Sequence, residues 1–147
     1  MPETEDSDHI LAGITILAAE DNELNAETLL ELPNMNNVVC DLVSNGQELV
    51  EAFEESESGQ YDLFLTDIQM PVMNGYDAAR ASRAGSHTRG KVIPIVAMTA
   101  NAFAEDVKEA MDAEMDAHVA KPIDMKNLEA VITELVKRNI SRMRRYL

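Results

Sequence analysis

The sequence predicts a single α/β domain built on a parallel sheet, and three observations carry that prediction. Five short apolar runs, ITILAA (14–19), VVCDLV (38–43), YDLFLT (61–66), VIPIVAM (92–98) and AHVA (117–120), recur along the chain, each of strand length. Longer stretches of helical period separate them, as in βα units around a sheet buried on both faces. A length of 147 residues with 46% apolar content suits one core of ordinary size.

The helices follow from the spacing of apolar residues between the runs. Leu24, Leu29, Leu30 and Leu32 mark the first, and Leu49, Val50 and Phe53 mark the second, after the turn pair Asn45-Gly46. The short Ala-rich stretch Gly75 to Ala84 is the third, and Phe103, Val107, Ala110 and Met111 space the fourth. Met125, Leu128, Val131, Ile132 and Leu135 give a strong fifth, with Asp124 as its N-cap. Residues 1–12 are acidic and without period, and are expected as a linker or disordered end. The domain is expected over 13–136, and the basic 137–147 as a helix extension or linker. The acidic EESES at 54–58 is expected as a loop, Met70, Met73, Met98, Met111 and Met115 as packing residues, and His9 and His87 as solvent-exposed.

Charge narrows the function classes. The chain carries 27 acids against 12 bases, a net charge of -15 with a pI near 4.4, which repels nucleic-acid phosphates. Five of those bases fall in the last eleven residues, where there is no acid. A single cysteine, Cys40, gives no intramolecular disulfide and makes a reduced cytoplasm the expected compartment. No apolar run reaches the roughly 18 to 20 residues of a membrane helix, and the acidic start does not read as a signal peptide.

In an open parallel sheet, ligands bind beyond the carboxyl ends of the strands. There the sequence places Glu20-Asp21 after the first run, Asp67 after the third, Thr99 after the fourth and Lys121-Pro122 after the fifth. Clustered carboxylates repel one another unless a cation shares them, and an oxygen-rich site of few protein ligands suits Mg²⁺. A carboxylate flanked by metal and ammonium can attack a phosphoryl group whose oxygens both cations neutralise.

These residues stand in words that resemble a known family, the receiver domains of two-component response regulators, especially those fused to hybrid sensor histidine kinases. The words are AEDN (19–22), SNGQE (44–48), YDLFLTDIQMPVMNGYDA (61–78), IPIVAMTANAF (93–103) and AHVAKPID (117–124), covering about residues 13 to 136. The resemblance implies a flavodoxin-like doubly wound sheet of order 2-1-3-4-5, the order known for flavodoxin and for receiver proteins. It also implies that Asp67 accepts phosphate from a phosphohistidine on a histidine kinase or histidine phosphotransfer protein. Asp21 and Asp67 would hold Mg²⁺ through carboxylates, Gln69 through its main-chain carbonyl and Glu20 mostly through water. Lys121 would pair with the phosphoryl oxygens. Thr99 would bond them and, by moving, let the side chain at the family's aromatic switch position, here His118, turn inward.

The chain departs from the family pattern in three places. Glu20 stands where many members have Asp, His118 replaces the usual Tyr or Phe, and Glu114 occupies a common glycine position. The expected protein is a signalling module rather than an enzyme, a monomer with no direct nucleic-acid or membrane contact, cut from or relaying for a hybrid kinase that could itself be membrane-bound. Two rivals compete with it. A haloacid-dehalogenase-type phosphohydrolase needs a second acid two residues after its nucleophile, where this chain has Gln69. A phosphate-independent binding module typically loses acids or lysine that this chain keeps.

Overall fold

The computed structural model describes residues 13–31, 38–100 and 104–145, with side chains from Val107 to Arg138 in the last stretch. Among the described residues, five strands, β1 (Thr15–Ala19), β2 (Val39–Val43), β3 (Leu63–Asp67), β4 (Ile95–Thr99) and β5 (Ala117–Ala120), alternate with five helices. These are α1 (Glu23–Leu29), α2 (Gly46–Glu55), α3 (Gly75–Ala84), α4 (Ala104–Asp112) and α5 (Met125–Arg145). The strands form one sheet in the order β2-β1-β3-β4-β5, and every pairing is parallel, as the resemblance implies. Pro94 supplies no N–H, and β4 begins only after it although the apolar run starts at Val92.

Alternation along the central strands divides the core into two layers. Ile16, Ala18, Leu63, Leu65, Val96 and Met98 face one side, where Leu29 of α1 and Leu128, Ile132, Leu135 and Val136 of α5 cover them. Leu17, Ala19, Phe64, Ile95 and Ala97 face the other, under Leu49 and Phe53 of α2, Ala78 and Ala79 of α3 and Ala110 of α4. β1, β3 and β4 are thus buried on both faces, which is why their sequences read as apolar runs without alternation.

The caps follow the sequence. Asn22, Asn45 and Asn74 close the starts of α1, α2 and α3 through their side-chain oxygens, and Asp124 Oδ1 accepts from Lys126 N–H at 3.0 Å. The apolar spacing of the first helix misleads, because Leu24 is 75% exposed and only Leu29 enters the core; Leu32 lies outside the described residues. Met111, expected in packing, is 69% exposed, and Phe103 and His9 also lie outside the described residues. EESES is not wholly a loop, since α2 runs through Glu55 and Ser56 caps it. His87 is half-buried rather than exposed: its ring stacks on Phe53 at 4.0 Å, and its Nδ1 accepts from Arg89 N–H at 3.0 Å. Burial, then the neighbouring Asp41 charge, pushes the Cys40 thiol up to about 11, so it stays protonated at neutral pH.

Glu114, at the common glycine position, takes a left-handed conformation with φ of 63°. The buried Arg83 explains how a non-glycine residue is held there: its Nε and Nη2 both donate to the Glu114 carbonyl, at 3.1 and 2.8 Å. The same guanidinium donates to the carbonyls of Gly90 and Ile93 and pairs with Asp116 at 3.0 Å. One side chain from α3 therefore ties the loop before β4 to the turn before β5.

α3 starts against the end of β3. A Cβ on Gly75 would strike the backbone carbonyl oxygen of Asp67 and come within 3.1 Å of Ile68 Cα, and Gly75 N–H donates to Ile68 O at 2.8 Å. Gly75→Ala is expected to destabilise the chain by about 2 kcal/mol, in the range of overpacking against backbone, measured by urea unfolding. Because the clash falls on the Asp67 peptide, the variant is also expected to bind divalent metal more weakly.

Candidate functional site

The parallel register sets the floor of the site. Glu20 N–H donates to Val43 O at 3.1 Å, Ile68 N–H to Met98 O at 3.2 Å and Lys121 N–H to Thr99 O at 2.8 Å. These bonds continue the ladder one residue past the strand ends and align the carboxyl ends of β1, β3, β4 and β5. The peptide bond from Lys121 to Pro122 is cis. Above this edge lies a cleft of about 330 Å³ lined by Glu20, Asp21, Asn22, Asn25, Asp67, Ile68, Gln69, Thr99, Ala100 and Lys121.

The charged groups are close and mostly withdrawn from water. Asp67 is 6% exposed, and Lys121 Nζ sits 3.1 Å from its Oδ2 and 3.0 Å from Glu20 Oε2. Glu20 Oε1 accepts from Asn22 N–H at 3.1 Å. Its buried Oε2 makes no hydrogen bond and is held by the Lys121 charge at 3.0 Å. Burial pushes the Asp67 carboxyl up to about 6; Lys121 pulls it down and the Glu20 charge adds to the rise. Burial acts to lower the Lys121 ammonium, and the two carboxylates more than reverse it, so its pKa stands above the ordinary lysine value.

Three carboxylates against one ammonium leave the ionised cleft with two net negative charges, which a divalent cation would balance. Glu20, Asp21 and Asp67 each offer one oxygen, and the three oxygens lie within 4.8 Å of one another. Asp21 is exposed while the other two are buried, so a metal could reach the site through Asp21 and keep water on its open side. An all-oxygen donor set with one unbonded buried oxygen fits a hard cation of the Mg²⁺ type.

The structure brings together every residue that the sequence places at the strand ends. Thr99 is buried at the end of β4, and Gln69 is exposed on the rim. His118 is exposed on β5 and, with Thr99, Ile68, Tyr76, Ala97, Val107 and Ala110, lines a second cavity of about 10 Å³, room for no more than one water. The loop after Asp67 is tightly wound: Val72 has φ of 71°, and Met73 N–H donates to Pro71 O at 2.8 Å, a strained three-residue turn. Sequence reasoning missed Asn25 as a lining residue. Its place in the first turn of α1, directly after the strand-end acids, was the available signal.

Comparison with known proteins agrees with this geometry. The family described as response regulator receiver domain matches residues 16–133. Hybrid signal transduction histidine kinase G of Dictyostelium discoideum is 36% identical over 121 residues, which is 81% of this chain and 3% of that protein. The chain spans between 3% and 15% of the first curated relatives it matches. Among solved structures, the receiver domain of the sensor histidine kinase PA1611 from Pseudomonas aeruginosa, with magnesium coordinated in its active-site cleft, superposes with a TM-score of 0.76. It is 32% identical, with 86% of this chain and 99% of that one covered. The receiver domain of the Saccharomyces cerevisiae response regulator Ssk1, crystallised with the histidine phosphotransfer protein Ypd1, gives 0.75 at 27% identity, with 85% and 90% covered. With the sheet order, the strand-end acids and lysine, and four-fifths of the chain all in register, the protein belongs to the response regulator receiver domain family.

Proposed function

We propose that this chain accepts a phosphoryl group on Asp67 from a phosphohistidine donor, a histidine kinase or histidine phosphotransfer protein. The observation that carries this reading is the arrangement around Asp67: a buried carboxylate 3.1 Å from Lys121, inside a cluster of three acids that can share one cation. Asp67, Asp21 and Glu20, with the Gln69 main-chain carbonyl, would hold Mg²⁺. The ion, when bound, neutralises charge on the transferring phosphoryl oxygens and on the acids that flank them.

The residues of the chain supply the rest. The Asp67 carboxylate attacks phosphorus, and the bond to the donor nitrogen breaks in line with it. Lys121 follows the charge from the Asp67 oxygen onto the phosphoryl oxygens, and Thr99 at the cleft wall offers its hydroxyl to them. Thr99 lines both the cleft and the small cavity beside His118, which supports this pair as the route from phosphate to surface. Gln69 in place of a second acid gives no general base for turnover of a free phosphoester, which favours a signalling module over a phosphohydrolase. We read residues 13–136 as the receiver unit of a cytoplasmic relay, with 1–12 as an acidic linker and 137–147 as a basic extension of α5, which runs to Arg145.

The test uses phosphorylated Ypd1 as donor, following label transfer to the chain with Mg²⁺ or EDTA. Transfer is expected with Mg²⁺ only. Lys121→Ala is expected to slow it about 100-fold, the scale of one electrostatic contact to a transferring group. Its Mg²⁺ affinity should hold or rise, since the ammonium repels the metal. Unchanged transfer in this variant would refute the role of Lys121, and transfer that persists in EDTA would refute the metal requirement.

A further inference from the structure

We infer that Asn25 contacts the leaving group of the phosphodonor, making it a catalytic residue whose amide N–H stabilises the donor's imidazole nitrogen as the P–N bond breaks. This inference rests on the phosphoacceptor reading of Asp67 and assigns the part of the cleft that reading leaves unused.

Volume is the first argument. At about 15 Å³ per water-sized group, a phosphoryl group of four heavy atoms and one cation beside it take roughly 75 Å³, well under half of the 330 Å³ cleft. Asp67 lies buried at the floor, so a group departing in line from it points toward the mouth, where a second small planar group of imidazole size can sit.

Chemistry selects the residue. Among the described residues, three side-chain amides line the cleft, those of Asn22, Asn25 and Gln69. Asn22 is exposed, its oxygen capping the backbone N–H groups of Leu24 and Asn25 at 3.0 and 3.2 Å. Gln69 is exposed on the rim. Asn25 is half-buried in the α1 wall, and its only side-chain-type bond runs from its backbone N–H to Asn22, so among the described residues its amide has no hydrogen bond. An uncommitted amide in the wall of a cleft whose charged lining is three acids and one lysine is a neutral donor that neither competes for metal nor repels phosphate.

The step balances within the proposed reaction. The Asp67 oxygen forms the new bond to phosphorus while the P–N bond breaks, and its electron pair stays on the imidazole nitrogen. A donor ring protonated on its other nitrogen departs as neutral imidazole, and the Asn25 N–H donates to the lone pair that appears. Such help matters more for a basic leaving group: an imidazole, near pKa 6.5, needs more than a carboxylate, near 4.

The test compares two small donors, N-phosphoimidazole and acetyl phosphate, on the wild type and Asn25→Ala, with Mg²⁺ affinity measured separately by calorimetry. Asn25→Ala is expected to slow phosphorylation by phosphoimidazole about 10-fold, below the usual loss for a full oxyanion contact. Acetyl phosphate, whose less basic leaving group needs less help, should slow by only about 3-fold, and Mg²⁺ affinity should not change. Asn25→Leu, which keeps the bulk but has neither the N–H nor a charge, is expected to follow Asn25→Ala with phosphoimidazole. Equal loss with both donors, no loss with either, or a weakened metal site would overturn the inference. A wild type that takes phosphate from neither donor would overturn the Asp67 reading itself.

Discussion

Asp67→Asn is expected to abolish phosphoryl uptake and, in metal-free buffer at pH 7.5, to melt higher than the wild type. The first effect follows because the amide oxygen is a poor nucleophile and one of the three clustered carboxylates is lost. The second follows from burial. The folded Asp67 carboxyl is pushed up to about 6, above the ordinary value near 4 that it has in the unfolded chain. Its contribution to stability is therefore fully present below about pH 4, falls as the unfolded chain ionises first, and is lost as pH rises through 6. Asparagine carries no such charge and leaves Lys121 its second partner, Glu20, at 3.0 Å. The variant should gain about 2 kcal/mol at pH 7.5, a rise in Tm of roughly 5 °C, and the two proteins should melt together near pH 4. Saturating Mg²⁺ should narrow the gap at pH 7.5 by stabilising the wild type selectively. An Asp67→Asn protein that melts lower across the whole range would contradict the unfavourable charge assigned to this site.

Arg83→Met is expected to cost about 3 kcal/mol, the scale of leaving buried carbonyls without a donor. The guanidinium is 7% exposed and makes five contacts: two to Glu114 O, one each to Gly90 O and Ile93 O, and the ion pair with Asp116. Methionine would leave three carbonyls short of a donor and free Glu114 to abandon its left-handed turn. Arg83→Lys keeps the charge but not the planar fork, and should recover less than half of the loss. Urea denaturation reads both variants, and Mg²⁺ affinity of the folded fraction should be unchanged because the hub sits away from the cleft. A loss under 1 kcal/mol for Arg83→Met would show that water replaces these bonds without cost.

The strand ends were legible because two simple periods coincide there. Runs buried on both faces announce β1, β3 and β4, and topology then requires Glu20, Asp67 and Thr99 to share an edge. Packing that depends on distant partners was not legible. Leu24 has the spacing of a core residue, yet α1 ends at Leu29 and turns it outward. His87 stands in a polar stretch, but Phe53, thirty-four residues earlier, supplies a ring to stack on. Arg83 reads as a surface base at the end of a helix, and only the fold brings four acceptor residues around it. Asn25 carried no signal by type; its cleft position comes from its place in the first turn of α1.

The most direct test of the central claim is to locate the phosphate. The wild-type chain is incubated with acetyl phosphate and Mg²⁺, reduced with borohydride, which converts an aspartyl phosphate to homoserine, and mapped by peptide mass spectrometry. Homoserine at position 67 alone, absent when EDTA replaces Mg²⁺, is the predicted result. Modification at Asp21 or another strand-end acid with Asp67 intact, or no modification under any condition, would contradict it.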